Sequence, residues 1–318
     1  MKKVGEKKKK YIWIIGDIML LCLIAVYLIM MPQVILEQLE ENPYNEFIKT
    51  DYPEKASVLT LWHIVEFKPY SGSLSSYFTQ YSSQFEKKHN GVFAEVSAMT
   101  VDEYRERVKR GESADIYSFP LSLSDEMPLC AVPYDEKKYS FPVSGYGIVS
   151  GERIAVPYAL SGEFLVCNSA MIQKKDIQIN KENAAEFAEG AEAQELFLEG
   201  KAAMTVMDAG TLGTTERRYN SGKGFAVEAY PMASEYTLVQ LIGISKDADK
   251  IDKENAAAYI DELFSKEQTE KLCSLGMIPV IECDDANIEF ESVYIRQLYE
   301  LLNSAESKKQ YGLFVGEK

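Results

Sequence analysis

Seven side chains in this 318-residue chain fall where an α/β sheet usually puts its chemistry. Trp62, His63 and Glu66 follow a strand-like run at residues 58–62, and Ser118 and Phe119 close a second run that begins at residue 115. Asp208 and Thr211 follow a third, at 201–207. Ligands of open α/β sheets sit beyond the carboxyl ends of the strands, so these are the residues a solute would meet. The chemistry they offer is recognition. Trp62 has a flat face suited to a sugar ring or an apolar ligand. Glu66 could accept hydroxyls or hold a cation, and Asp208 and Thr211 open a helix whose free N–H groups suit an anionic or polar group. A plainer role is open to each: core packing for Trp62, a loop hydrogen bond for His63, a surface carboxylate for Glu66 and a helix cap for Asp208.

Bond-making chemistry finds little support. The sequence has no G-x-S-x-G elbow, no H-E-x-x-H pair and no P-loop. Its two histidines leave only His63 or His89 for a Ser-His-Asp site, and His89 sits beside lysines at a helix end. Gly145-Tyr146-Gly147 lacks the third glycine and the preceding strand of a dinucleotide loop, and the acidic stretch 282–291 lacks the glycine of a calcium loop. No catalytic residue, cofactor or metal site is expected. An anchored hydrolase is the competing class, and these motifs disfavour it.

Charge separates the chain into two parts. Residues 1–31 carry six lysines against Glu6 and Asp17, a net +4, so the remainder carries −19 of the overall −15. A body that acidic does not attract nucleic acid through its general field. Residues 11–31 are an apolar run of 21, reaching roughly 31 Å as a helix, enough to cross a bilayer. The basic segment 1–10 predicts a cytoplasmic N-terminus and an extracellular body on a single-pass anchor in the cell membrane. No small-x-small cleavage site follows the run, and Cys22 lacks the small neighbour of a lipoprotein signal, so the anchor is expected to stay uncleaved. Residues 32–56, with Pro43 and Pro53, read as a stalk. The five cysteines form no CxxC pair; Cys167 and Cys273 read as small buried hydrophobes.

The positioning elements follow from periodicity. Leu74, Tyr77, Phe78, Tyr81 and Phe85 have helical spacing, stopped by Gly91, and a strand follows at 92–98. Thr100-Val101-Asp102-Glu103 matches a capping box, with Glu103/Arg107 and Glu106/Arg110 as i,i+4 pairs along the helix it opens. Strand, helix, strand, helix, strand predicts a parallel sheet with right-handed crossovers. Residues 154–172 read as two strand-like pieces, a crossover from one sheet to another. Beyond it, helices are predicted over 181–200, from Asp208 to about 222, over 252–275 with a break and capping box at Ser265, and over 290–302, with extended segments at 225–231 and 234–245.

These stretches together resemble the extracellular solute-binding proteins of bacterial ABC importers, of the type 2 periplasmic-binding-protein fold. The likeness covers roughly residues 58–280 and rests on LTLWH (59–63), FEKKHNGVFAEVSAMTVDEYRERVKRGESADIYSF (85–119), VPYALSGEFLVCNSAMI (156–172), GKAAMTVMDAG (200–210) and AAAYIDELFSKEQTEKLCSLGMIPV (256–280), in that order. The resemblance implies an α/β fold of two lobes, 57–155 with 244–280 and 159–239 with 283–318. Strand 156–160 would be the first hinge and 240–245 the return, with Tyr158 and Tyr236 flanking that hinge and lining the cleft. It implies a small solute, a sugar or oligosaccharide, bound by lobe closure and passed to an ABC permease or read by a membrane sensor. Shifting such an equilibrium from mostly open to mostly closed needs roughly 5 kcal/mol of differential affinity. One departure stands out: only about thirty residues separate Asn168 from Gly200, where relatives carry a longer insert. The second lobe is therefore small, and an interaction or sensor ectodomain that has kept the fold and lost its ligand is the alternative.

Overall fold

A computed structural model describes residues 56–132, 139, 141, 143, 145–175, 191–232, 237–280 and 288–304. The expected anchor at 11–31 and the stalk at 32–56 lie outside these, apart from Ala56. No helix among the described residues is long and apolar enough to cross a membrane.

Strand β1 (Ser57–Val65) is built from alternation: Leu59, Leu61 and His63 face one side, Trp62 and Ile64 the other. Helix α1 (Leu74–Lys88) starts where Ser73 accepts a hydrogen bond from the Ser76 amide, and it buries the predicted stripe of Leu74, Tyr77, Phe78, Tyr81 and Phe85. Strand β2 (Val92–Thr100) runs parallel to β1. Thr100 then caps α2 (Val101–Lys109), its hydroxyl accepting from the Glu103 amide at 3.3 Å. The Glu103–Arg107 pair forms at 3.1 Å, whereas Glu106 pairs with Lys109 and Arg110 with Glu112, which lie nearer on the exposed face. Strand β3 (Ile116–Pro120) lies parallel to β1 on the side away from β2. Asp115 fastens the pair, its carboxylate accepting from the Thr60 amide at 2.8 Å and the Thr60 hydroxyl at 2.7 Å.

A 3₁₀ turn (Leu121–Glu126) and the short hairpin β4 (Ile148–Val149) and β5 (Glu152–Arg153) lead to β6 (Ala155–Asn168). Here the structure differs from the expected pair of strand pieces: β6 is one uninterrupted strand of 14 residues. Its first part lies between β9 (Thr237–Ile244) and β10 (Ile278–Pro279), and its last part between β7 (Met204–Asp208) and β8 (Val227–Pro231). The partners change between Gly162 and Glu163, further along than the expected hinge strand. Two half-sheets are thus joined through one hydrogen-bonded strand. The first has the order β10-β6-β9-β3-β1-β2, with β9 antiparallel to both its neighbours.

Helices cover both. After β6 come α3 (Ser169–Lys175), α4 (Ala191–Leu198) and α5 (Ala209–Asn220), the last capped by Asp208. Then α6 (Lys250–Leu263) and α7 (Lys266–Ser274) form the broken pair, and α8 (Val293–Asn303) follows. Ser265 holds the N-cap position of α7, but its side chain makes no capping hydrogen bond and Gln268 Oε1 accepts none, so the predicted box does not form. Beneath α1 and α6, Leu59, Leu61, Phe78, Phe85, Ile116, Tyr259 and Ile260 pack on one face of the first half-sheet. On the other face the core does not stop at the joint. It runs from Trp62 and Tyr104 through Leu160 and Phe164 to Leu212, Ile295 and Leu298.

Phe78 is fully buried and edge-on to Tyr158, so Phe78→Ala removes a ring that the joint strand packs against. It is expected to lower unfolding free energy by about 3–5 kcal/mol, read from the urea midpoint at unchanged slope.

Candidate functional site

β1 and β3 diverge to opposite neighbours at their carboxyl ends, and the candidate residues cluster there. His63 and Ser118 are register partners on the face under α1. The Ser118 hydroxyl lies 3.0 Å from His63 Nδ1, 3.0 Å from the Tyr158 hydroxyl and 3.2 Å from Gln240 Nε2, which donates to it. One hydroxyl has a single hydrogen to give and two lone pairs, so three partners saturate Ser118. Tyr158 reaches this row because β6 bulges between Pro157 and Ala159, leaving Tyr158 without a partner on β9. The four side chains come from β1, β3, β6 and β9 and are at most 2 % exposed. Burial lowers the His63 pKa to about 4 and pushes the Tyr158 phenol up, so both are neutral at pH 7.

Several of the expected contact residues have partners within the chain itself. Trp62 is 5 % exposed and stands edge-to-face with Tyr104 and Tyr117, while the Arg107 guanidinium lies 5.4 Å from its ring centre. Its face is taken by the chain itself. Phe119 is wholly buried in the same cluster. His63, Ser118 and Tyr158 are spent on one another within the sheet. Asp208 takes the plainer role, its carboxylate accepting the Thr211 amide at 2.7 Å, so the N–H expected to greet a ligand is already used. Tyr236 lies outside the described residues. Glu66 is exposed, and the Ser122 hydroxyl sits 3.0 Å from each of its carboxylate oxygens.

Two elements that carry expected residues approach each other, through other side chains. The loop after β1, which carries Glu66, lies against the first turns of α5, which carry Thr211. The loop is seated on glycines. A Cβ placed on Gly210 would lie 2.5 Å from Lys68 Cβ, and one on Gly213 only 2.1 Å from the Tyr70 carbonyl oxygen. Arg217 Nη1 donates to that same carbonyl at 2.9 Å, and the Tyr70 hydroxyl donates to the Glu216 carboxylate. On the other side the Ser71 amide donates to the Leu275 carbonyl at 3.0 Å, and Gly276, at φ +72°, leaves room for Tyr70 Cβ. Tyr70 therefore bridges α5 and the turn after α7. Burial raises the Glu216 pKa against the opposing pull of Arg217. Burial likewise raises that of Glu163, helped by Asp208, its register partner on β7.

Tyr70, Glu216, Arg217 and Gln240 were not among the expected site residues. The one local signal was Gly210 and Gly213 in AGTLGTT, an i,i+3 pair on one helix face that invites close backbone approach.

This architecture, with one long strand shared by two half-sheets and helices flanking both, is the periplasmic-binding fold of ABC substrate-binding proteins. Among solved structures, the maltose-maltodextrin binding protein of Alicyclobacillus acidocaldarius superimposes at TM-score 0.55 and 13% identity, covering 77% of this chain and 88% of that one. Maltose-bound MalE3 of T. maritima gives 0.55 at 14% identity, with 82% and 93% covered. Iron-bound HitA from Pseudomonas aeruginosa gives 0.51 at 11%, with 82% and 99% covered. No family model matches the chain, and no curated protein does.

His63 sets a testable pH dependence. Its folded pKa of about 4 lies below the unfolded value near 6.5, so the unfolded chain binds the extra proton first as pH falls. Stability from this group is complete above about 6.5 and is lost as pH drops towards 4, by on the order of 3 kcal/mol. His63→Gln is expected to flatten that part of the curve in urea titrations from pH 7 to 4. An unchanged slope would place the loss elsewhere.

Proposed function

We propose that this chain is an extracellular solute-binding protein that takes a carbohydrate between its two half-sheets and presents it to an ABC importer. Residues 11–31 would hold it on the membrane by a single span, with the N-terminus in the cytoplasm. The reading rests on one observation above the others: β6 passes from one half-sheet to the other as a single strand, the joint about which two lobes can close. The fold likeness to proteins described as binding maltose and maltodextrins favours a sugar over other solutes. Lys68 and Tyr70 lie against Gly210 and Gly213 of α5 and, with Glu66 on the same loop and Thr211 on the same helix, would line the opened groove, Tyr70 offering a ring for a sugar face. Nothing in this arrangement requires bond-making, and we assign it no enzymatic role.

A second reading has its own support. The expected aromatic platform, Trp62, is sealed in the core, and the loop after β1 already fills its side of the joint. That arrangement suits a sensor or interaction ectodomain that no longer takes a solute.

Thermal unfolding of the chain with maltose, maltotriose, longer maltodextrins, peptides and ferric iron separates the two. Under the first reading a maltodextrin at 100 times its Kd adds about 2.7 kcal/mol of stability, seen as a rise in Tm. A flat panel on a cooperatively folded chain would sink that reading in favour of the second.

A further inference from the structure

We propose that residues 68–70 act as a self-closing latch: the chain's own loop is seated where a solute would enter, and solute binding competes with that seating. The proposal rests on the solute-binding reading and gives it a regulatory step.

Three features carry it. The contact is backbone against backbone. With a Cβ on Gly213 falling 2.1 Å from the Tyr70 carbonyl oxygen, no other residue type fits there and no sugar ring fits between them. The seat is also fastened from the α5 side, by Arg217 to the Tyr70 carbonyl and by the Tyr70 hydroxyl to Glu216. Finally, the loop is anchored on the far side through Ser71 to Leu275, with Tyr70 Cβ lodged over Gly276. The loop therefore stays with the first half-sheet when α5 moves away, and α5 leaves behind a carbonyl, a phenol and Lys68. Once unseated, a free carbonyl, a phenol and a carboxylate (Tyr70 and Glu216) are the hydrogen-bonding groups a polyhydroxylated ligand would use in their place.

Glu216 adds a pH handle. Its raised pKa comes from burial, and the groups facing it are Tyr70, Arg217 and Tyr294. Rising pH charges the carboxylate in its half-buried place, which works against burial and is opposed by Arg217.

The test uses the full-length chain and two variants. Gly213→Ala places a methyl group against the Tyr70 carbonyl while favouring the α5 helix itself, so any opening is not the result of a lost helix. Tyr70→Phe removes only the hydroxyl bond to Glu216 and keeps the ring over Gly276. Hydrogen exchange is followed for peptides spanning 66–72 and 209–216, with 57–64 and 241–244 as internal controls, alongside maltotriose titration. For Gly213→Ala, exchange at 66–72 and 209–216 is expected to rise about tenfold with the controls unchanged, and maltotriose affinity to tighten about as much, because the competent fraction grows. Tyr70→Phe should raise exchange in the same direction by less, with no gain in affinity, because the phenol it loses is also a group the sugar would use. Unchanged exchange in both variants overturns the latch, and so does weaker maltotriose binding on faster exchange, which would make the seated loop part of the sugar's own wall. Faster exchange with no maltotriose binding to any form upholds the latch and removes the sugar instead.

Discussion

The fourteen residues of β6 have strand partners along their whole length except at the Tyr158 bulge, β9 and then β7, with β10 closing the other side at Ala159 and Leu160 and β8 from Phe164 onward. Backbone donors and acceptors buried away from water must be paired, and a strand that passes through two half-sheets has to find four partners to manage it. The other elements are arranged to supply them. β9 returns antiparallel between β3 and β6, which brings the chain back from the second half-sheet to the first. The α7 turn delivers β10 to the opposite edge. At the changeover stands Gly162, where a side chain would strike Leu298 of α8, so α8 packs directly on the strand at the point where its partners switch. A joint made this way twists as a strand twists; it has no slack loop to unfold.

A row of polar side chains crosses the same sheet at its deepest level. Burying a hydroxyl, an amide and an imidazole without partners would cost several kcal/mol, yet here Ser118 answers all three neighbours at once. The arrangement tolerates no slip. Shifting β1 against β3 by one residue would send His63 to the face occupied by Trp62 and leave Ser118 short of a partner. The bulge that turns Tyr158 into the row serves the same end. Residues at strand ends that resemble a binding constellation are here hydrogen-bonded to one another across the register.

Much of the scaffold was legible in the sequence because it is local. The stripe of α1, the Thr100 cap, the Asp208 cap and the break at Ser265 are all set by residues within a turn of one another. The continuity of β6 was not, since Pro157, Ser161 and Gly162 each look like interruptions in isolation. They are tolerated because flanking strands and α8 accept them: Pro157 pairs opposite Leu241 beside the bulge, and Gly162 makes room for Leu298. The burial of Trp62 depended on Tyr104, Tyr117 and Arg107, which are distant in sequence and carry no mark of their destination. The sheet rule pointed to strand ends where several of the side chains turn out to be packed within the chain. It located where β1 and α5 approach, and it had no means of knowing that the intervening loop would fill the approach itself.

That filling bears on what fold likeness conveys. Proteins of 11–14% identity share the path of the chain with this one, and the path fixes where two half-sheets face each other. It does not fix the distance between them. Here the distance is set by two glycines on one face of α5 and by a carbonyl that only a glycine admits. At the exposed rim of the same contact, Arg217 reaches back along its helix face to donate to the Tyr70 carbonyl. On the proposed reading, a solute entering at this joint would have to outcompete a fitted, hydrogen-bonded loop, and its affinity would be reduced by whatever fraction of the time that loop is seated. Under the proposed solute-binding reading, ligand strength would then depend on Gly210, Gly213 and Tyr70 as much as on any group that touches the ligand.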